Sequence, residues 1–320
     1  MVDLQSIQFL GGGLQRPECV LCTRAGYIYA ADWRGGVSRI APNGELLSYL
    51  SKSAPFQIKP NGIALLPDGN FLLTHLGADD GGVYHLDRQG NLKPFLLEVD
   101  GAPLPPTNYV HLDANNRVWI TVSTRISPRH LAYRKDNADG FIVMVDDKGA
   151  RVVADDLGYT NECVVHPGGE WLYVNETFTR RLSRFSIAGD GSLCNKEIIT
   201  EFGHGVFPDG LTFAEDGSVY VTSIVSNRVI RVDENGGQTV LLEDNDAQHV
   251  DWVERAFQAS EMGRTHLDQV KSQRLKNISS LAFGGDDLKT AFLGCLLGDQ
   301  IAYFHSDVAG VPPVHWDYDD

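Results

Sequence analysis

A repeated two-strand pattern constrains this chain more than any other feature of its sequence. Each copy opens with a polar residue, continues with a short apolar run, turns through Asp, Asn or Gly, and ends with a second apolar run, as in residues 107–121. This pattern is typical of two antiparallel strands joined by a tight turn. We call the polar residue that opens each copy its anchor, and the six anchors are Glu18, Asn61, Asn108, Asn161, Asp209 and Ser279.

The spacing of the anchors predicts the fold. They recur at roughly the 40–50-residue period of propeller blades, and only the last interval, from Asp209 to Ser279, is clearly longer. Six copies predict an all-β, six-bladed β-propeller that forms a single domain over residues 1–320. Residues 1–10 predict a strand that completes the last blade and closes the ring, whereas the tail 311–320 is assigned to no element.

Composition narrows the classes of partner and compartment. The net charge of −15 argues against nucleic acid and anionic membranes as main partners. The N-terminus lacks the basic start and apolar core of a signal peptide, and no apolar run reaches the length of a membrane span. Five cysteines without framework spacing favour a cytoplasmic location, and the pair Cys19 and Cys22 is interpreted as buried thiols because a zinc site would need further ligands. An oligomer is compatible with the sequence but is not predicted from it.

Two connections on the anchor side of the propeller are unusually long. The connection 124–139 is rich in basic residues, namely Arg125, Arg129, His130, Arg134 and Lys135. It is either a solvated loop or a cationic rim that recruits an anionic or hydroxyl-rich ligand. In the connection 244–277, apolar residues at helical spacing predict a helical insertion between blades five and six. Loops of this length inside a compact fold are usually functional, which favours a lid over the anchor face; packing on the side of the propeller and an oligomer contact are the alternatives.

The anchors themselves suggest a metal site. If each opens the innermost strand of its blade, the central channel holds two carboxylates, Glu18 and Asp209, and three carboxamides, Asn61, Asn108 and Asn161. Buried carboxylates near one another are costly unless a cation neutralises them. Oxygen donors favour calcium, magnesium or manganese over structural zinc. The alternative is that Pro-Asn-Gly and Pro-Asp-Gly are only turn sequences.

Four segments, in order, resemble the senescence-marker-protein, gluconolactonase and luciferin-regenerating-enzyme-like family, which includes regucalcin. They are Arg-Pro-Glu at 16–18 with the Gly-Tyr-Ile-Tyr-Ala-Ala-Asp-Trp that follows, Thr-Asn-Glu at 160–162, Phe-Pro-Asp-Gly at 207–210, and Leu-Ala-Phe-Gly-Gly at 281–285. The resemblance extends from residue 17 to about residue 304. Two positions depart from the family pattern: Pro106 stands where regucalcin-like members carry Arg, and Glu162 stands where they carry Gly.

The resemblance implies a site and a reaction. One divalent ion, Ca²⁺ in the first instance and Mg²⁺, Mn²⁺ or Zn²⁺ as alternatives, would be held by Glu18, Asn161 and Asp209, with Asn108 as a further ligand or substrate contact. The implied reaction is hydrolysis of a small-molecule lactone to its hydroxy acid, with the metal as Lewis acid and Asp209 as general base.

Substrate contacts are expected from Asn108 and Asn61, and from Arg125 and His130 in the basic connection. His75 and His130 are alternative bases. The related diisopropyl-fluorophosphatases share the four-residue site, so an organophosphate-type hydrolase is a second hypothesis, and a non-catalytic calcium-binding or interaction propeller is a third. No Gly-x-Ser-x-Gly elbow supports a serine nucleophile.

Overall fold

Six four-stranded antiparallel sheets follow one another along the chain and form the blades of a propeller. The structure is a computed structural model that describes residues 1–319. The predicted six-bladed architecture is therefore confirmed, and the first strand of each blade is its innermost. Those first strands contact their neighbours around the ring, which places the start of each one beside the central channel.

The strands of each blade are given from the channel outward. Blade one comprises Val20–Cys22, Ile28–Asp32, Gly36–Ile40 and Leu46–Leu50, and blade two comprises Pro60–Leu65, Phe71–His75, Val83–Leu86 and Leu92–Leu96. Blade three comprises Thr107–Leu112, Val118–Val122, Gly140–Asp146 and Gly149–Leu157, and blade four comprises Thr160–Val165, Trp171–Glu176, Arg181–Ile187 and Leu193–Glu201. Blade five comprises Val206–Phe213, Val219–Val225, Arg228–Val232 and Gln238–Glu243, and blade six comprises Ile278–Gly284, Thr290–Cys295, Ile301–His305 and Gln8–Leu10.

The N-terminal strand closes the ring as the sequence predicts. Gln8–Leu10 pairs antiparallel with Ile301–His305 and so forms the outer strand of blade six. At the opposite end of the channel the C-terminal tail, unassigned from sequence, joins other blades. Val311 N–H donates to Phe213 O of blade five at 3.0 Å, and Arg24 N–H of blade one donates to Trp316 O at 2.7 Å. Asp320, the last residue of the predicted tail and domain, lies outside the described residues.

The recurring Asp residues of the hairpin turns have one shared role. The carboxylate accepts the backbone N–H two residues further on, as Asp68 does from Asn70 and Asp216 does from Ser218, each at 3.0 Å. This local bond makes the turn favourable without any contact to another blade. These turns can therefore be predicted from the sequence alone.

The connections hold elements that the sequence did not predict. A short hairpin, Glu98–Val99 with Ala102–Pro103, lies between blades two and three, and 3₁₀ turns occur at Leu4–Ser6 and Arg129–Ala132. The insertion 244–277, by contrast, is helical as the sequence predicted, and it contains two helices, α1 (Ala247–Gln258) and α2 (Arg264–Asp268). Within residues 1–319, no helix is long and apolar enough to cross a membrane.

Helix α1 packs on the anchor side of blades four to six. Its buried residues Val250, Val253 and Phe257 join one apolar cluster with Tyr159 and Phe207. Tyr159 directly precedes the first strand of blade four, and Phe207 lies at the start of the first strand of blade five. That side of the propeller also carries the connections that follow second strands. These contacts place α1 on the anchor side of the propeller, and its role as a lid stays a prediction.

The two ends of the insertion are held by buried polar side chains. The carboxylate of Asp244 accepts three backbone N–H groups, from Gln273, Arg274 and Leu275, at 2.7–2.9 Å. Asn277 accepts the Val225 N–H at 2.7 Å and donates to Leu267 O at 3.0 Å. These bonds fix where the insertion leaves and rejoins the propeller.

A buried ion pair between Arg180 and Glu254 fastens α1 to blade four, and it predicts an attachment that weakens in acid. Arg180 binds Glu254 through both guanidinium Nη atoms at 3.1 and 2.6 Å, and both side chains are about nine-tenths buried. Gly205 N–H adds a third bond at 3.0 Å. Burial opposes ionisation, yet the bonds from Arg180, Gln258 and Gly205 lower the pKa of Glu254 to about 2.

We expect Glu254→Gln to reduce the free energy of unfolding by about 3 kcal/mol near neutral pH, because it leaves Arg180 without its counter-ion. Since the folded pKa lies below the usual value of 4.5, the stabilisation is present above pH 4.5 and lost as pH falls towards 2. Urea denaturation of both proteins across this range measures the effect. Glu261→Gln, at an exposed position of the same insertion, is the control; an equal loss there, or a difference that does not shrink in acid, would contradict the assignment.

Candidate metal and substrate site

The anchors of blades two to six lie at β-bulges. In blade two, Asn61 and Gly62 of the first strand together face Thr74 of the second strand. The pairing shifts in the same place at Asn108, Asn161, Asp209 and Ser279. A bulge redirects a side chain relative to the regular alternation of a strand. The repeat is therefore more than a turn sequence. In five blades it places a polar residue at a bulge at the equivalent position of the first strand.

The residue opposite a bulge links its blade to the next one. Side chains in this position donate to the backbone carbonyl of the following anchor: Thr74 to Asn108 at 2.9 Å, Asn175 to Asp209 at 3.0 Å and Thr222 to Ser279 at 2.7 Å. In blade six the same position is Gly294, where a Cβ would overlap the carbonyl oxygen of Glu18. That carbonyl accepts instead from the hydroxyls of Ser279 and Ser280, at 2.9 and 2.6 Å. These bonds form a belt that joins four of the six neighbouring pairs of anchors, and in blade three the hydroxyl of Thr121, opposite the bulge, has no partner within residues 1–319.

The belt also decides how the carboxamides are oriented. Asn61 Nδ2 donates to Asn108 O at 3.1 Å, and because a carbonyl only accepts, Asn61 Oδ1 must point elsewhere. The Thr177 hydroxyl donates to Pro208 O at 2.8 Å, so it accepts from Asn161 Nδ2 at 3.0 Å. The Oδ1 atoms of Asn61 and Asn108 are buried and have no hydrogen-bond partner. A buried acceptor without a partner is costly, so these oxygens are suited to a bound ion or ligand.

Three carboxyl groups are buried together at the ring. Glu18, Glu162 and Asp209 are all at most 6% exposed. Burial, and then the charges of Glu18 and Glu162, raise the pKa of Asp209 well above its usual range. Burial and the charge of Glu18 likewise raise the pKa of Glu162 to about 8, against a lowering bond from Leu211 N–H. Arg16 compensates Glu18 directly, at 2.9 Å to Oε2.

The basic connection 124–139 folds against the propeller, and its charges do not act as one rim. Arg125 is exposed and pairs with Asp155 at 2.7 and 2.8 Å, while Arg134 pairs with Asp136. Lys135 donates to Gln258 of α1 at 2.9 Å. Arg129 is the basic residue of this connection that lies near the ring, since the charges of Glu18 and Asp209 act on it. Of the two substrate contacts expected from this connection, Arg125 is committed to Asp155, and the ring of His130 forms no hydrogen bond within residues 1–319.

The other histidines lie apart from the anchor ring or have both ring nitrogens engaged. His75 Nδ1 accepts from Lys59 N–H at 3.1 Å and its Nε2 faces Asp80 at 3.6 Å. Its proton therefore lies on Nε2, towards Asp80, and no basic nitrogen is available to a substrate. His111 lies towards the opposite mouth of the channel, near His315. Cys19 and Cys22 are both buried free thiols, as interpreted from sequence.

The ring fits an oxygen-bound divalent cation. Among residues 1–319, no three side chains of His, Cys, Asp or Glu are close enough together to hold a metal, so carboxylates alone do not form the site. Amide oxygens complete the shell of hard cations such as Ca²⁺, and the unpartnered Oδ1 atoms of Asn61 and Asn108 offer them. A cation would also relieve the repulsion that raises the pKa of Asp209. The donor set lacks the Cys and His ligands of structural zinc sites.

Sequence reasoning missed three charged residues of this site. Arg16 was seen only as part of a motif, Glu162 only as a departure from a pattern, and Arg129 only as one of five basic residues. Arg16 and Glu162 could have been found from their adjacency to the anchors Glu18 and Asn161. Nothing in the sequence distinguishes Arg129 from Arg125, because the fold of the connection decides which of them turns inward.

Comparison with known proteins identifies relatives for this architecture. The pattern of the "SMP-30/Gluconolactonase/LRE-like region" matches residues 50–243, more than half of the chain. The chain is similar to a 6-deoxy-6-sulfogluconolactonase from Pseudomonas putida, 29% identical over 225 residues that cover 68% of this chain and 72% of the relative.

Two solved structures share the fold. One is a luciferin-regenerating enzyme, with a TM-score of 0.70, 14% identity, and coverage of 98% of this chain and 99% of that chain. The other is a calcium-binding protein, regucalcin, from Agrobacterium tumefaciens, with a TM-score of 0.66, 15% identity, and coverage of 94% and 96%.

Proposed function

Because the chain belongs to the SMP-30/gluconolactonase/LRE-like family, we propose that it is a metal-dependent lactonase whose active site is the anchor ring. Family membership and the similarity to a sulfogluconolactonase support lactone hydrolysis. The observation that carries the metal dependence is the buried, unpartnered Oδ1 of Asn108, which opens a first strand in the same ring as the buried carboxylates of Glu18 and Asp209. Glu18, Asn161, Asp209 and Asn108 would hold the ion, with Ca²⁺ the first choice for such donors.

The reaction adds water to the lactone carbonyl and breaks the ring C–O bond, which yields a hydroxy acid. A divalent ion bound here would polarise the carbonyl and lower the pKa of a bound water. Asp209 would take the proton of the attacking water and return it to the ring oxygen as that oxygen leaves. Asn61 and Asn108 would contact oxygens of the substrate.

The charge state of Asp209 supports this assignment. Burial and the neighbouring carboxylates raise its pKa, whereas Arg16 and Arg129 lower it. A base must be ionised before it can accept a proton, and further positive charge in the ring favours that form. The two arginines and the ion would together keep Asp209 as carboxylate.

The surroundings of the ring support exclusion of bulk water. Tyr133, Tyr159, Phe178 and Phe207 are buried on the anchor side, and Phe257 of α1 packs against Phe207 at 5.2 Å between ring centroids. In the proposed mechanism the insertion 244–277 is a lid whose apolar face covers the site. A site shielded from water strengthens the electrostatic effect of each charged group within it.

We expect the activity to vanish when the protein is stripped with EDTA and to return with one type of ion. Proton release from aldono-, alkyl- and aryl-lactones measures turnover, and re-addition compares Ca²⁺, Mg²⁺, Mn²⁺ and Zn²⁺. Thermal denaturation of stripped and reloaded protein provides a second readout, since an ion that binds only the folded state raises the midpoint.

Lactone hydrolysis that is indifferent to EDTA would overturn the metal mechanism while leaving a lactonase. Bound metal without turnover of any lactone would overturn the lactonase and favour a binding protein or another substrate.

A further inference from the structure

Arg129 differs from the other arginines near the site because it has no carboxylate partner. Arg16 pairs with Glu18, and Arg180 pairs with Glu254. For the Arg129 guanidinium, no ion pair within 4 Å and no hydrogen bond is formed within residues 1–319, and its Nη1 atom is buried without a partner. The chain has 42 acidic and 27 basic residues, so a lone inward-facing guanidinium is not explained by a shortage of carboxylates.

The position of Arg129 relates it to the reacting groups. It begins the 3₁₀ turn Arg129–Ala132, whose following residue, Tyr133, is buried against Tyr159 and Phe178 at 5.4 and 4.7 Å between ring centroids. The charges of Glu18 and Asp209 act on Arg129, and its charge acts on Asp209, yet neither carboxylate is within ion-pair distance. Arg129 is therefore close enough to the ring for the charges to act on one another, and too far from either carboxylate to pair with it.

The formal charges at the ring favour an anion bound beside Arg129. With a divalent ion bound, the carboxylates of Glu18 and Asp209 balance its two charges, and the guanidinium groups of Arg16 and Arg129 add two more. The carboxylate of Glu162, when ionised, balances at most one of these two additional positive charges. The loaded site therefore retains net positive charge, and a buried charge without a partner is unfavourable.

We propose that Arg129, with the unpartnered hydroxyl of Tyr159, forms a subsite for an anionic substituent, and that the preferred substrates are lactones that carry a carboxylate or similar acidic group. A guanidinium binds such a group through two parallel, charge-assisted hydrogen bonds. The Tyr159 hydroxyl is also buried without a partner and can donate a further bond. The substrate class rests on the proposed lactonase function; the anion subsite is testable without it.

A matched pair of substrates tests the preference. D-Glucono-1,4-lactone and D-glucaro-1,4-lactone share one ring and differ in a hydroxymethyl group against a carboxylate. We expect the kcat/KM of the wild-type protein to be at least about tenfold higher for the glucarolactone, in the range that one charge-assisted contact provides. Arg129→Gln should abolish the preference for the glucarolactone. Arg129→Lys keeps the positive charge but not the two parallel donors of the guanidinium, and it should retain part of the preference.

Arg134→Gln is the matched control, because Arg134 lies in the same connection and pairs with Asp136 at the surface. It should leave the ratio unchanged. Thermal denaturation of each variant establishes that it folds. Calorimetric titration with the hydrolysis products, D-glucarate and D-gluconate, measures anion binding independently of turnover.

The outcomes separate the two proposals. Hydrolysis of both lactones at a ratio that Arg129→Gln does not change would overturn the anion subsite and leave the lactonase. If neither lactone is hydrolysed but glucarate binds the wild-type protein at least tenfold more tightly than Arg129→Gln, the subsite stands and the lactonase proposal fails for these substrates. Equal binding of glucarate to both proteins would overturn the subsite whatever the activity.

Discussion

Asp209→Asn is expected to reduce kcat/KM for lactone hydrolysis by about 10³- to 10⁴-fold, because the carboxamide can neither take a proton from water nor balance a bound cation. Steady-state proton release measures the loss. Asp286→Asn, at an exposed turn position, is the control and should retain full activity. A variant at position 209 that keeps more than about a tenth of the activity would exclude Asp209 as the base.

The same substitution should stabilise the metal-free protein. Burial and two neighbouring carboxylates raise the pKa of Asp209 above its usual 3.8. A group whose folded pKa is raised contributes stability only at low pH, and that contribution is lost as pH rises. Near neutral pH the carboxyl group is therefore a cost that asparagine avoids. A higher denaturation midpoint for metal-free Asp209→Asn than for the metal-free wild type, together with lost activity, would match a strained functional site; a lower midpoint would contradict it.

Glu18→Gln, at the neighbouring anchor, should have the opposite effect on stability. The side chains of Arg16 and Glu18 are 11% and 8% exposed and bind at 2.9 Å, and removing one partner of a buried ion pair typically costs about 3–5 kcal/mol. Activity should fall as well, since Glu18 is a proposed metal ligand. Urea denaturation of the metal-free proteins measures the change in the free energy of unfolding.

The double variant Arg16→Gln/Glu18→Gln isolates the pair. It should recover part of the lost stability, because the guanidinium left alone in the single variant is gone, but it should remain inactive. If Glu18→Gln and Asp209→Asn change the free energy of unfolding in the same direction, then it is wrong that Glu18 is stabilised by its ion pair while Asp209 is destabilised by its neighbouring carboxylates.

Much of the fold could be predicted from the sequence because its determinants are local and repeated. Each blade carries its own apolar alternation and its own Asp-centred turn, such as Asp68 or Asp216, so the number of blades follows from counting. Ring closure by Gln8–Leu10 follows from a strand left over at the N-terminus. The helical insertion followed from the spacing of Val250, Val253 and Phe257.

The candidate site was predictable only in part. The anchors were located because they recur at equivalent positions, but their roles remain predictions. The sequence could not reveal that a shift in strand register changes the direction of the anchor side chains. Nor could it reveal that Asn61 Nδ2 donates to Asn108 O, which leaves Asn61 Oδ1 without a partner. Those features depend on pairing between strands and on contacts between adjacent blades, which are separated by about fifty residues in a propeller.

The sequence alone determined which residues are repeated, and with them the six blades, the belt of polar anchors and the family. Only the tertiary structure decided which charges meet. Arg125 and Arg129 are four positions apart in one basic connection, yet Arg125 pairs with Asp155 at the surface, whereas Arg129 lies close enough to the ring for the charges of Glu18 and Asp209 to act on it. The physical reason is that a charge interacts through distance and burial, and both are properties of the folded chain.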